Sequence, residues 1–271
     1  MSKEKPKEFY HRFLDEAGDT TFWGKGKTPI IGKVEGVSLC FILGMVKFKR
    51  PLSEIRSGIL SLQNEIENDE YYQDVPSIQK KKEKVGYYFH ATDDLPEVRE
   101  KFYKYIRTID LSFEAAVGRK IYDVFTKKHN SNEEEFYGDL LSHLLKNKLE
   151  LGGKLILTIA ERGKSTRNIN LTNALLKAKK RFKRTRPQKE INTDIVFNIQ
   201  NPTKEPLLTI PDYLCWAVQR VFERGETRYY NFIEDKISLI VDLYDSENYG
   251  GHKNYYNERH KLTSKNKLSP P

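Results

Sequence analysis

The sequence has few cysteines and no long hydrophobic run. Only two of its 271 residues are cysteines, Cys40 and Cys215, and both lie in apolar segments typical of buried thiols. Because neither belongs to a Cys-x-x-Cys pair, we expect no zinc knuckle or redox motif. No apolar run approaches the length that spans a bilayer, and residues 1–8 are polar and lysine-rich rather than signal-like. We therefore expect a cytoplasmic protein without a membrane partner.

The sequence also lacks a Gly-x-x-x-x-Gly-Lys-Ser/Thr loop, which disfavours a phosphotransferase of that type. What it has in excess is positive charge, with a formal net charge of +9 that favours a polyanionic partner such as DNA or RNA. The densest basic stretch is 177–189, and a solvated helix face is the alternative interpretation of it. As candidates for nucleic-acid binding we select Lys177, Lys180, Arg181, Lys183, Arg184 and Arg186.

Apolar patterns alternate between strand and helix periods along the chain. They predict strands over 9–14, 37–46, 86–90, 111–124, 154–160 and 191–199. They predict helices over 52–68, 96–109, 133–149, 170–184, 210–222 and 228–243, and a charged surface loop over 69–85. This order favours an α/β fold with helices on a mixed sheet. We expect one domain with insertions over 1–248 and a polar, disordered tail over 249–271.

Three carboxylates stand close together where the first predicted strand ends. Asp15, Glu16 and Asp19 surround Gly18, which allows the chain to turn sharply. Asp15 and Glu16 are expected on opposite faces of the strand. Oxygen ligands held at a strand end suit a hard divalent cation, although a polar hairpin turn has a similar composition.

Two further carboxylates stand where Asp15 would need partners. Glu161 follows a strong predicted strand, and Asp212 lies in the first turn of an apolar helix. A surface ion pair with Arg162 or Lys164 is the alternative for Glu161, and an interaction with the helix dipole is the alternative for Asp212. Together with Asp15 they could hold two Mg²⁺ or Mn²⁺ ions about 4 Å apart, as in many nucleases. Glu16 and Asp19 are reserve ligands.

Four short segments carry a family resemblance. Residues 13–19, Phe-Leu-Asp-Glu-Ala-Gly-Asp, resemble the Asp-Glu-Ser-Gly opening of the domain of unknown function 3800 family, with Ala17 in place of serine. Residues 89–91, Phe-His-Ala, resemble its short strand ending in histidine, and Tyr137 resembles its helical tyrosine. Residues 208–212, Leu-Thr-Ile-Pro-Asp, resemble its Leu-Gln-x-Ala-Asp helix start, with threonine and proline replacing glutamine and alanine.

The resemblance spans the chain from Tyr10 to about Leu243 and implies a ribonuclease H-like fold. It also implies a metal-dependent nuclease, with Asp15 and Asp212 as the best-matched site residues. The competing hypothesis is a catalytically relaxed module that binds nucleic acid or protein on the same fold. Ala17, Thr209 and Pro211 would then be signs of that relaxation.

Overall fold

A computed structural model describes residues 8–162 and 166–270 of the chain. Within these residues seven strands form one mixed sheet. The strands are β1 (Phe9–Ala17), β2 (Cys40–Phe48), β3 (Leu111–Arg119), β4 (Lys154–Ala160), β5 (Asp194–Gln200), β6 (Ile237–Asp242) and β7 (Tyr255–Tyr256). The α-helices are α1 (Leu52–Asn68), α2 (Pro76–Lys84), α3 (Pro96–Thr108), α4 (Tyr122–His129), α5 (Glu133–Leu145), α6 (Asn168–Thr185), α7 (Thr209–Arg224) and α8 (Arg228–Ile233).

The strands follow the order β5-β4-β1-β2-β3-β6-β7 across the sheet. β1, β2 and β3 form an antiparallel meander, whereas β4 runs parallel to β1 and β5 runs parallel to β4. β6 pairs parallel with β3, and β7 pairs antiparallel with β6. The expected α/β architecture with a mixed sheet flanked by helices is therefore confirmed.

Side-chain alternation along β1 divides the core into two layers. Phe13 and Ala17 pack with α1, α3, α7 and α8 on one face of the sheet. Leu14 packs with α4, α5 and α6 on the other face. Because Asp15 shares its face with Phe13 and Ala17, it points toward α7, while Glu16 points to the opposite side, as predicted.

Five predicted segments differ from the structure. The segment 69–85, expected as a loop, contains α2, because Pro76 opens a helix whose Ile78 is buried. The segment 86–90 has no regular secondary structure and is not one of the sheet's described strands; Tyr87 and Phe89 pack into the core instead. The strand predicted over 111–124 ends at Arg119 and is followed by α4.

The helix predicted over 228–243 is also wrong. α8 ends at Ile233, and the sequence Ile-Ser-Leu-Ile-Val-Asp that follows forms β6. This stretch is rich in β-branched residues, and pairing with β3 satisfies its main-chain groups, so the strand is preferred over a longer helix.

The segment 249–270, expected to be disordered, packs against the domain. β7 pairs with β6, and Tyr256 and Leu262 are buried. The main-chain N–H of Leu268 donates a hydrogen bond to the carbonyl oxygen of Phe222 at 2.7 Å. The sequence missed this because the buried residues are isolated among polar ones and follow no strand or helix period.

Candidate functional site

A cleft of about 360 Å³ opens where β1 and β4 end beside the first turn of α7. Four of the five carboxylates selected from the sequence line it: Asp15, Glu16, Glu161 and Asp212. They come from three separate elements of the fold, since Asp15 and Glu16 lie on β1, Glu161 follows β4 and Asp212 lies on α7.

Asp15 lies within β1 rather than at its end, paired with Gly44 of β2. The pairing of β1 with β4 stops one residue earlier, at Leu14 and Ile159, so the cleft begins at Asp15. Its Oδ1 accepts a hydrogen bond from the main-chain N–H of Glu16 at 2.8 Å. Burial raises the pKa of Asp15 well above its usual value, and the neighbouring charges of Asp212 and Glu16 raise it further.

Asp212 is buried in the first turn of α7. Its Oδ2 accepts a hydrogen bond from the main-chain N–H of Ala91 at 2.8 Å, so the carboxylate is held by the loop before α3. Burial raises its pKa to about 6, although the nearby His90 and the Ala91 N–H favour the charged form. Two carboxylates therefore share this cleft, and in both burial disfavours the charge.

Glu16 is engaged by an arginine. Nη1 of Arg162 donates to Oε1 of Glu16, and the Arg162 guanidinium lies 5.0 Å from the ring centroid of Phe41. Burial nevertheless raises the pKa of Glu16 above its usual value. Behind the cleft, burial and then the charge of Glu16 raise the pKa of the Tyr137 hydroxyl.

Glu161 is exposed at the rim of the cleft, directly after β4. Its main-chain N–H donates to the carbonyl oxygen of Gln200 at 3.0 Å, which extends the pairing with β5 by one residue. The alternative partner Arg162 is bound to Glu16 instead, and Lys164 lies outside the described residues.

Asp19 does not line this cleft, in contrast to its selection as a reserve ligand. Its Oδ1 accepts from Lys120 at 2.9 Å and its Oδ2 accepts from the Ser38 hydroxyl at 2.7 Å. Burial opposes the charge, but these hydrogen bonds lower the pKa of Asp19 below its usual value. Asp19 therefore holds the turn after β1, where Gly18 has a φ of +85° and a β-carbon would lie 2.4 Å from the Cys40 carbonyl oxygen.

The basic stretch 177–189 lies on the other side of the sheet. α6 packs with α5 in the opposite layer from α7. It connects the parallel strands β4 and β5, so the chain runs along α6 away from the cleft. Several of its cations have intramolecular partners. Arg181 pairs with Asp139, Arg186 with Glu150 and Lys177 with Glu135, and Lys183 donates to the carbonyl oxygen of Lys189. Lys180 and Arg184 are exposed.

Sequence reasoning missed a buried support behind the cleft. Asp94 accepts hydrogen bonds from Lys81 at 3.0 Å, from the Tyr87 hydroxyl at 2.9 Å and from the Tyr213 hydroxyl at 2.5 Å. It also accepts from the main-chain N–H of His90 at 2.8 Å, next to the Ala91 N–H that binds Asp212. No sequence pattern marks Asp94 as this acceptor, and its partner Tyr213 comes from a distant part of the chain.

Within residues 8–162 and 166–270, no group of three or more His, Cys, Asp or Glu side chains is arranged to hold a metal ion as it stands. The expected three-carboxylate cluster is therefore not preformed, although its members line one cleft. No described helix is long and apolar enough to cross a membrane. No protein-family model matches the sequence, and no curated protein gives a significant match.

Proposed function

We propose that the protein is a divalent-metal-dependent hydrolase of nucleic-acid phosphodiester bonds, on a ribonuclease H-like variant of the α/β fold. The observation that carries the proposal is the placement of Asp15 and Asp212. Strand β1 and helix α7 bring these two carboxylates into one cleft, where burial disfavours their charges. A bound cation would offset this cost.

The donor set fits Mg²⁺ or Mn²⁺. Magnesium keeps several waters and is typically held by one or two carboxylates plus substrate phosphates, so a preformed cage of three side chains is not required. Main-chain N–H groups bind Oδ1 of Asp15 and Oδ2 of Asp212. These hydrogen bonds fix both side chains and leave each carboxylate with a second oxygen for a ligand. A bound ion would supply charge stabilisation and an activated water.

The other residues have supporting roles in this proposal. Glu161 at the rim accepts a proton or orients water, because it is the exposed carboxylate of the cleft. Arg162 holds Glu16 in place through their ion pair. The loop from His90 to Ala91 fixes Asp212 through its main chain.

A metal titration and a cleavage assay test the proposal together. Wild-type protein should bind Mn²⁺ or Mg²⁺, and Asp15→Asn and Asp212→Asn should each weaken that binding. Cleavage of labelled DNA and RNA should need Mg²⁺ or Mn²⁺ and be poorly supported by Ca²⁺, whose geometry is looser. Asp235→Asn is the matched control, since Asp235 is exposed after α8, and it should behave like wild type. Equal cleavage by wild type and Asp15→Asn would refute the assigned site.

A second candidate is the catalytically relaxed binding module. Arg162 binds Glu16 and Lys120 binds Asp19, so two of the carboxylates selected as metal ligands already have cationic partners. This favours the second candidate. This module would bind nucleic acid or protein without measurable metal affinity in the cleft. Metal binding that depends on Asp15 would exclude it.

A further inference from the structure

A second concave surface continues from the cleft. This basin has a volume of about 600 Å³ and shares four wall residues with the cleft: Gly18, Thr92, Trp216 and Gln219. It is also lined by Arg99 of α3 and by Arg220 and Arg224 of α7. The basin and the carboxylate cleft therefore adjoin each other.

The basin has an excess of positive charge once its internal pairs are counted. Of its two carboxylates, Asp19 is bound by Lys120, and Oε1 of Glu223 accepts from the main-chain N–H groups of Leu39 at 2.6 Å and Cys40 at 3.1 Å. Arg220 pairs with Glu226. Among residues 8–162 and 166–270, no carboxylate forms an ion pair with Arg99 or Arg224. Arg99 and Arg224 therefore outnumber the one carboxylate without a cationic partner, Glu223, and the basin suits an anion.

Trp216 holds two of the arginines in place. The guanidinium carbon of Arg99 lies 4.9 Å from the ring centroid of Trp216, and that of Arg220 lies 5.2 Å from it. Arg99 also donates to the carbonyl oxygen of Ala91 at 2.9 Å. A stacked, hydrogen-bonded guanidinium loses little freedom when it binds a phosphate, so these groups are preorganised. Arg224 is exposed at the end of α7.

We propose that this basin binds the phosphate backbone of a single nucleic-acid strand whose next phosphodiester lies in the carboxylate cleft. The inference rests on the proposed function and specifies where the substrate strand binds. A single strand fits better than a duplex because Asp15 and Asp212 are recessed. In addition, Tyr88 and His90 line the cleft, and stacking on such rings requires unpaired bases. The α6 stretch 177–189 is outside this path.

Binding measured without cleavage tests the basin on its own. Fluorescence anisotropy with labelled single-stranded DNA and RNA, in the presence of a chelator, compares wild type with Arg224→Ala and Arg184→Ala. The two arginines are matched, since each is exposed in the last turn of its helix, α7 or α6. Arg224→Ala should weaken binding roughly fivefold for unrelated sequences and lower the salt slope by about one phosphate contact. Arg184→Ala should change affinity by less than about twofold.

The outcomes separate the basin from the proposed function. If Arg184→Ala weakens binding as much as Arg224→Ala, or if Arg224→Ala has no effect, the basin assignment is overturned. If an unlabelled duplex of equal length competes as well as the single strand, the single-strand assignment is overturned. Arg224-dependent binding supports the basin even where no metal supports cleavage, and in that case only the proposed hydrolase fails.

Discussion

The sulfur of Cys215 stands 2.3 Å from the position that a β-carbon on Gly44 would occupy. Gly44 is the β2 residue paired with Asp15, and Cys215 lies one helical turn after Asp212 on α7. The missing side chain thus lets α7 approach the sheet next to Asp15. The Cys215 thiol also donates to the carbonyl oxygen of Asp15 at 3.4 Å. This close approach is what brings Asp212 to the cleft.

Gly44→Ala should push α7 away from the sheet. The added methyl group overpacks the contact with Cys215 and Phe113, so we expect a loss of about 1–3 kcal/mol in the free energy of unfolding. Denaturant titration measures this loss, and Gly250→Ala is the control, because no atom lies within 4 Å of a β-carbon there. Gly44→Ala should also weaken metal binding. A partial recovery of both properties on adding Cys215→Ala would confirm the contact with α7, since the Phe113 ring still lies 2.4 Å from the added methyl group.

Glu161→Gln should reduce cleavage less than Asp15→Asn does. Glu161 is exposed at the rim, whereas Asp15 is recessed and holds the proposed ion. We expect kcat to fall roughly tenfold for Glu161→Gln and about 10²-fold or more for Asp15→Asn. Steady-state kinetics with saturating Mg²⁺ measures both. A larger loss of kcat for Glu161→Gln would indicate that cleavage depends mainly on Glu161 at the rim and not on the recessed carboxylates.

The contribution of Asp212 to the stability of the metal-free protein should fall as pH rises from about 4 to about 6. The pKa of Asp212 is raised from 3.8 to about 6, so the folded state binds more protons than the unfolded state in this window. Its protonated form stabilises the fold below the window, and that stability is lost above it. Asp212→Asn removes this dependence and should be more stable than wild type at pH 7.5 by on the order of 2 kcal/mol.

Chemical denaturation in the presence of a chelator, at pH 4 and at pH 7.5, tests the direction of this pH dependence. The difference between Asp212→Asn and wild type should nearly vanish at pH 4, where the wild-type carboxyl is protonated. Asp123→Asn is the control, since Asp123 is exposed on α4 and pairs with Lys127. A wild type more stable than Asp212→Asn at pH 7.5 without metal would contradict the raised pKa of Asp212.

Asp94→Asn should destabilise the fold strongly. The change leaves the buried Lys81 ammonium without its carboxylate, and breaking such a pair costs about 3–5 kcal/mol. It also weakens the anchor of the His90 main chain, so metal affinity should fall through displacement of Ala91 and Asp212. Asp93→Asn is a neighbouring control with an exposed side chain, and thermal unfolding should separate the two. Similar melting temperatures would show that Asp94 is not a structural support.

Residue periodicity by itself determined the class of the fold and most of its elements. The apolar run around Phe41 was predicted as a buried strand, and the helical spacing of Ile55, Ile59 and Ile66 was predicted as α1, since burial imposes these periods directly. The turn at Gly18 and the carboxylates Asp15, Glu16, Glu161 and Asp212 were also selected from the sequence, and the structure places all four in one cleft.

Only the tertiary structure decided which charges are available. Asp19 and Arg181 look like free site residues in the sequence, but Lys120 and Asp139 bind them across distant segments. Whether residues 237–242 extend a helix or form β6 depended on the free edge of β3. The proposed route from Arg224 to Asp15 likewise depends on the packing of α7 on the sheet. Local sequence carries no record of such long-range contacts, because they depend on which surfaces meet when the chain folds.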